Sequence, residues 1–278
     1  MRSLWVVAVL SACGEVGASV DARIDSPVGD AEIDAPSDSA IDAMPCATVS
    51  GTKARWRAEQ NTADQTATFN GSTSGANFGY TPGKHGSAFL LDGVDDGVTI
   101  DDTEMLWPTA SFSIEAWVKT SSTQLGIVLS KYACGNNCPN GLSYSYFALA
   151  IAAGGFPQFD LRPEVNISIV ILKDTLAPIS DGAWHHIVGV RDNATSKAIL
   201  YVDGAEKVTT NLDANQLMAM SDGDTNADLT TIGMAQVAGA TTFNSHLNGA
   251  IDDVAIYTRA LTANEITALY NAPDGACP

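Results

Sequence analysis

The chain has 278 residues, with 14 Lys and Arg against 32 Asp and Glu, a formal net charge of −18. A surface with a sequence pI near 4.3 repels phosphate backbones, which excludes nucleic acid as a partner and leaves divalent cations, neutral glycans and basic surfaces compatible. The length fits one large domain or two small ones, and with 45% hydrophobic and 17% charged residues the composition is that of a globular protein able to bury its own core.

Residues 1–12 read as an export signal. Arg2 supplies the positive start, and an apolar run from Leu4 to Leu10 follows that is far too short to span a bilayer. The run ends in Leu10-Ser11-Ala12-Cys13, which resembles the lipobox of bacterial lipoproteins. That resemblance implies cleavage before Cys13, a lipid on its thiol, and export to an outer membrane or cell surface, since no Asp follows the cysteine. Residues 13–45 then change character. Between Gly14 and Pro45 stand eight acids and one base, Arg23, among Ala, Ser and Pro. Such a segment buries too little to offset its ordering entropy, and like charges extend it. It reads as a disordered tether that reaches roughly 30 Å as a flexible coil.

From Cys46 onward, short segments rich in β-branched and aromatic residues alternate with Gly, Asn and Asp turns. In 111–119, Phe112, Ile114, Ala116 and Val118 share one face, and Ser113, Glu115 and Trp117 the other. Further strands are predicted at 126–131, 144–152, 167–173 and 250–257. Trp184, His186, Val188 and Val190 repeat the alternation, and Ile199 to Val202 runs into Asp203-Gly204, a two-residue hairpin signal. One helix closes the chain. Thr262 and Glu265 form a capping box, Ile266, Leu269 and Tyr270 line one face, and Pro273 and Gly275 stop it. The fold class expected is all-β, a sandwich of two antiparallel sheets with one short C-terminal helix.

Four stretches carry a family resemblance: GKHGSAFLLDGVDDGV at 83–98, SFSIEAWVK at 111–119, DGAWHHIV at 181–188 with LYVDG at 200–204, and GAIDDVAIY at 249–257 with RALT at 259–262. In this order they resemble the laminin G-like branch of the concanavalin A-like lectin/glucanase superfamily across residues 46–278. The resemblance implies a jelly roll with one concave sheet, serving as a glycan-binding or protein-binding module. The superfamily also contains glycosidases, so the fold does not decide the activity. Its glucanases carry Glu-x-Asp-x-x-Glu on one strand. The one Glu-x-Asp here is Glu32-Ile33-Asp34 in the tether, with Ser37 where the second Glu belongs. The expectation is therefore a binding module and not an enzyme.

Once Cys13 is assigned to lipid, Cys46, Cys134, Cys138 and Cys277 remain, an even set with three possible pairings. Cys134 with Cys138 closes a tight loop. Because the family's first and last strands are neighbours, the resemblance makes Cys46 with Cys277 a natural clasp. The spacing lacks the second Cys-x-x-Cys or paired His of a zinc site. Relatives that hold a structural calcium place it at the loop after the first strand and the start of the last, which implies Asp64 and Asp252 as ligands for one Ca2+. Adjacent strand residues point to opposite faces, so His185 and His186 are read as packing residues rather than a shared metal site. Trp117, Trp184 and Tyr257 are read as core. The segment 132–156, with Tyr144 and Tyr146, is the candidate sugar-stacking rim. The expected partner is an extracellular glycan, with a surface protein, bound by an adhesin or an envelope structural lipoprotein, as the alternative.

Overall fold

Apolar residues at every second position build two antiparallel sheets that face each other across a shared core. The computed structural model describes residues 49–101, 106–132, 145–163, 167–220, 228–237 and 242–275. The predicted signal and tether, all five cysteines (Cys13, Cys46, Cys134, Cys138, Cys277) and Tyr144 lie outside these residues.

In chain order the strands are β1 (Thr52–Trp56), β2 (Gly71–Ser74), β3 (Gly79–Pro82), β4 (Ser87–Asp92), β5 (Gly97–Ile100), β6 (Phe112–Lys119), β7 (Gly126–Tyr132), β8 (Tyr146–Ala152) and β9 (Phe156–Arg162). Then follow β10 (Val170–Lys173), β11 (Trp184–Asp192), β12 (Lys197–Val202), β13 (Ala205–Asn211), β14 (Thr230–Ile232), β15 (Ala235–Gln236), β16 (Phe243–Asn244), β17 (Asn248–Tyr257) and the helix α1 (Ala263–Asn271). One sheet runs β13-β12-β11-β6-β17-β4-β3, with β1 added against β17. The second runs β10-β9-β8-β7-β14-β5-β2, and β15 and β16 form a separate two-stranded ribbon.

The spine of the first sheet is β17. Its first half pairs with β4 and its second half with β1, while β6 runs along the other side. The register with β6 breaks between Asp252 and Ala255, and Asp253 takes a positive φ of 45°. A bulge of this kind bends the strand and re-aims its side chains. The β12–β13 hairpin turns at Asp203-Gly204 with both φ positive, at 52° and 75°. Those angles suit a type I′ turn and match the predicted signal.

Phe112, Ile114 and Val118 of β6 meet Phe147, Leu149 and Ile151 of β8 and Phe159 and Leu161 of β9 in the core between the sheets. Gly189 of β11 lets Phe159 approach: a Cβ there would lie 2.4 Å from the ring. The opposite face of the first sheet is also covered. Val188, Val190, Tyr201, Ala255 and Tyr257 pack against Ile266 and Leu269 of α1. Glu115 and Trp117, predicted to face away from the core, do so but are buried beneath the helix side. The helix begins at Thr262, whose hydroxyl accepts from the Glu265 amide while the Glu265 carboxylate accepts from the Thr262 amide. Tyr270 stacks on Trp117 at 5.6 Å. The strand expected at 167–173 starts only at Val170, where pairing with Leu161 begins.

Candidate functional site

The outer face of the second sheet holds the groove of interest. Because β8 sends Phe147, Leu149 and Ile151 inward, alternation leaves Tyr146, Ala148, Ala150 and Ala152 on the other face. Alanines there cannot fill the space between their neighbours. On one flank stand Tyr132 and the β15–β16 ribbon, with Ala235 packed on Ala148, Ala150 and Ile127. On the other flank β9 presents Gln158 and Asp160, which are paired in register with Ala150 and Ala148. The result is a cavity of about 360 Å³, within the size range of small-ligand sites.

Its aromatic wall is a stack. The Tyr132 and Tyr146 rings lie 5.1 Å apart at 16°, and the Arg162 guanidinium sits 5.3 Å from the Tyr146 centroid. Tyr146 is therefore buried behind Tyr132, and Tyr132 is the ring that lines the groove. Burial first, and then the charge of Asp160, holds both phenols well above their usual range, so each keeps its proton and can donate a hydrogen bond.

The polar wall centres on Asp160. Gln158 Nε2 donates to its Oδ2 at 2.8 Å, while Oδ1 is shielded from solvent without a hydrogen-bond partner. Burial pushes this carboxyl up to about 6, against the opposing effects of the Gln158 bond and the Lys173 charge. Across the groove the Gln236 side-chain oxygen accepts from the Leu229 amide at 2.8 Å, and Asn244 and Ser245 complete the rim. The Ile127 amide donates to the Ser245 carbonyl, which ties the ribbon to β7. An aromatic face beside amides, a hydroxyl and one carboxylate suits a ligand with an apolar face and several hydroxyls. A second cavity of about 250 Å³ opens between the 106–112 segment and the end of β17. Lys53, Trp107, Ser111, Phe112 and Tyr257 are among the residues that line it.

The structure places the other candidate residues as follows. Asp64 is buried, and its carboxylate accepts from the amides of Arg55, Thr68 and Phe69 and from the Thr66 hydroxyl. Asp252 sits at the β17 bulge and accepts from the amides of His85 and Asp253. The two share no hydrogen-bond partner. Among the described residues the one group of three potential ligand atoms within 4.8 Å is Asp92, Asp95 and Asp96, which includes neither. Asp64 and Asp252 each hold chain amides in place. The His185 side chain contacts Asp181 and Asp203, whereas the His186 side chain contacts Glu115 and the His186 amide donates to Asp203.

The sequence reading named Tyr146, which is buried outside the groove lining, and a segment that includes Tyr132, but not Gln158, Asp160, Gln236 or Asn244. One local signal was present. In FPQFDLR at 156–162 polar residues alternate with core ones, opposite a strand whose outward positions are all small after Tyr146.

A family model described as the concanavalin A-like lectin/glucanases superfamily matches residues 92–267, more than half of the chain. The fold is similar to domain 4 of AbnA, a GH43 extracellular arabinanase from Geobacillus stearothermophilus, in complex with arabinotriose. The TM-score is 0.56 at 20% identity, covering 78% of this chain and 96% of that one. It is also similar to the binding domain of Paraclostridial Mosquitocidal Protein 1, with TM-score 0.55, 16% identity and 79% of this chain covered. The binding domain of Botulinum Neurotoxin DC in complex with SialylT gives TM-score 0.54 at 16% identity over 81% of this chain. The similarity spans about half of each toxin domain, 51% and 52%. No curated protein sequence matches the chain.

Proposed function

Since the chain belongs to the concanavalin A-like lectin/glucanase superfamily, we propose that it is a non-catalytic glycan-binding module that holds sugar in the alanine-floored groove of the second sheet. The observation that carries this reading is that Tyr132, Gln158 and Asp160 line one groove together with Ala150 and Ala235. An aromatic face takes the apolar side of a pyranose or furanose, and the amide and carboxylate groups take its hydroxyls. Two of the similar folds are described in complex with carbohydrate, one with arabinotriose and one with SialylT. Hydrolysis would ask for a pair of carboxyl groups about 5 Å or more apart across the scissile bond. Among the described lining residues Asp160 is the one carboxylate, which supports a binding role for the groove.

Lipid on Cys13 and the acidic tether at 13–45 would carry this module at the outer membrane or cell surface. Acylated Cys13 in the mass spectrum of membrane-extracted protein supports that placement, and an unmodified soluble product removes it.

The functional test is a pull-down of the protein against a polysaccharide panel, repeated with Tyr132→Ala. Capture of one glycan class, weakened at least about tenfold in the variant, supports the reading, since an interface anchor commonly contributes more than ~1.4 kcal/mol. Binding that survives in Tyr132→Ala moves the site elsewhere. Retention on cells that is lost only when the target is treated with protease favours a protein-binding adhesin instead.

A further inference from the structure

Resting on the glycan reading above, we infer that the groove selects uncharged glycans and that Asp160 is the residue that enforces the selection. Among the described residues lining the groove, Asp160 alone carries a formal charge; the others are aliphatic side chains, a phenol, amides and a hydroxyl. A uronate, sialate or sulfate needs a guanidinium, an ammonium or a helix N-terminus to replace its lost hydration, and none of these lines the groove. Two cations of the neighbouring strands stand near the groove without lining it. Arg162 lies over the Tyr146 ring. Lys173, across from Gln158 on β10, has its charge set against Asp160.

Asp160 is also a poor neighbour for a second negative charge. Its Oδ2 is held by Gln158, and its Oδ1 has neither solvent nor a donor. An anionic sugar would therefore be desolvated beside a carboxylate that is itself half-desolvated, and like-charge juxtaposition of this kind costs several kcal/mol. A neutral hydroxyl, by contrast, brings no second charge to that neighbourhood. The net charge of −18 acts in the same direction at long range, but salt screens it within about 8 Å at physiological strength. High salt thus separates the contribution of the groove from that of the whole surface.

The selection is graded by pH. Burial raises the Asp160 carboxyl to about 6, so exclusion grows as pH rises through that value and relaxes as pH falls through it. The groups that face Asp160 are Lys173 from β10, Gln158 and Arg162 from β9, Tyr132 and Tyr146 from β7 and β8, and the neutral Gln236 and Asn244 of the ribbon. Both phenols remain protonated throughout this window.

The experiment is calorimetry of the full-length protein against neutral polysaccharides and their uronate-bearing and sulfate-bearing counterparts, at pH 7.5 and 5, in 0.5 M salt. The expected result is a neutral ligand bound at least about tenfold more tightly than its acidic counterpart at pH 7.5. The gap should narrow at pH 5. In Asp160→Asn, and in Asp160→Ser as a second variant with checked melting temperature, affinity for the acidic arm should rise and its pH dependence vanish. An acidic glycan bound as tightly as its neutral counterpart, or a gap unchanged in both variants, overturns the selectivity while leaving a glycan site in place. Binding of no glycan at all removes the underlying reading and the selectivity with it.

Discussion

At the scale of single residues, the most consequential group outside the groove is Glu115. On the helix-covered side of the first sheet its carboxylate accepts from Arg55 at 2.8 Å, from the Tyr257 hydroxyl and from His186. Burial alone would raise its pKa, but the His186 bond and the Arg55 charge outweigh that and hold it below the usual 4.5. A depressed acid stabilises the fold above its unfolded pKa, and the contribution is lost as pH falls through the folded value. Glu115→Ala leaves the buried Arg55 guanidinium with the longer contact to Asp253, 4.0 Å, as its acidic partner. Urea denaturation at pH 7 should register a loss of about 3–5 kcal/mol, and the acid limb of the stability curve should flatten. A loss under about 1 kcal/mol would mean that the network behaves like a surface pair. Alternation placed Glu115 opposite the core face of β6, but its partners come from β1, β11 and β17, and no local pattern names them.

At the scale of elements, α1 shows how far a local code reaches. The capping box, the Ile266 and Leu269 stripe and the C-terminal stop were readable because each depends on residues within one or two turns. What the helix covers was not. The stripe of Trp184, His186, Val188 and Val190 has the alternation of a core strand, yet Val188 and Val190 pack under α1 rather than between the sheets. Leu269→Ala should cost about 2–5 kcal/mol, since the side chain is buried in that second cluster. Thr262→Ala should cost about 1 kcal/mol through the lost cap. Equal midpoints for Leu269→Ala and the parent protein in denaturant would show that the helix contributes little to global stability. Between the sheets, Gly189→Ala places a methyl 2.4 Å from the Phe159 ring. A penalty of about 1–3 kcal/mol is expected, and hydrogen exchange should locate it in β9 and β11.

At the scale of the whole molecule, the predicted calcium becomes a testable question. The amides of 68 and 69, with Arg55 from β1, order the Asp64 loop by direct bonds to its carboxylate. His85 and Asp253 do the same for Asp252. With these donors in place, the melting temperature should be the same in calcium and in EDTA. A rise of several degrees with calcium would mean that the cation displaces those donors, and would return Asp64 and Asp252 to the role of ligands.

Strands such as β6, β7, β11, β12 and β17, the Asp203-Gly204 hairpin, the capped helix and the family motifs were legible in the sequence, because alternation, turn angles and capping act over a few residues. Tertiary structure alone decided the groove. Its wall draws Tyr132 from β7, Gln158 and Asp160 from β9 and Asn244 from β16, residues that become neighbours only when strands distant in sequence pair in register. Each of them, read along the chain, is an ordinary polar or aromatic residue on the exposed side of a strand. Their convergence around Ala150 and Ala235 is a property of the paired strands.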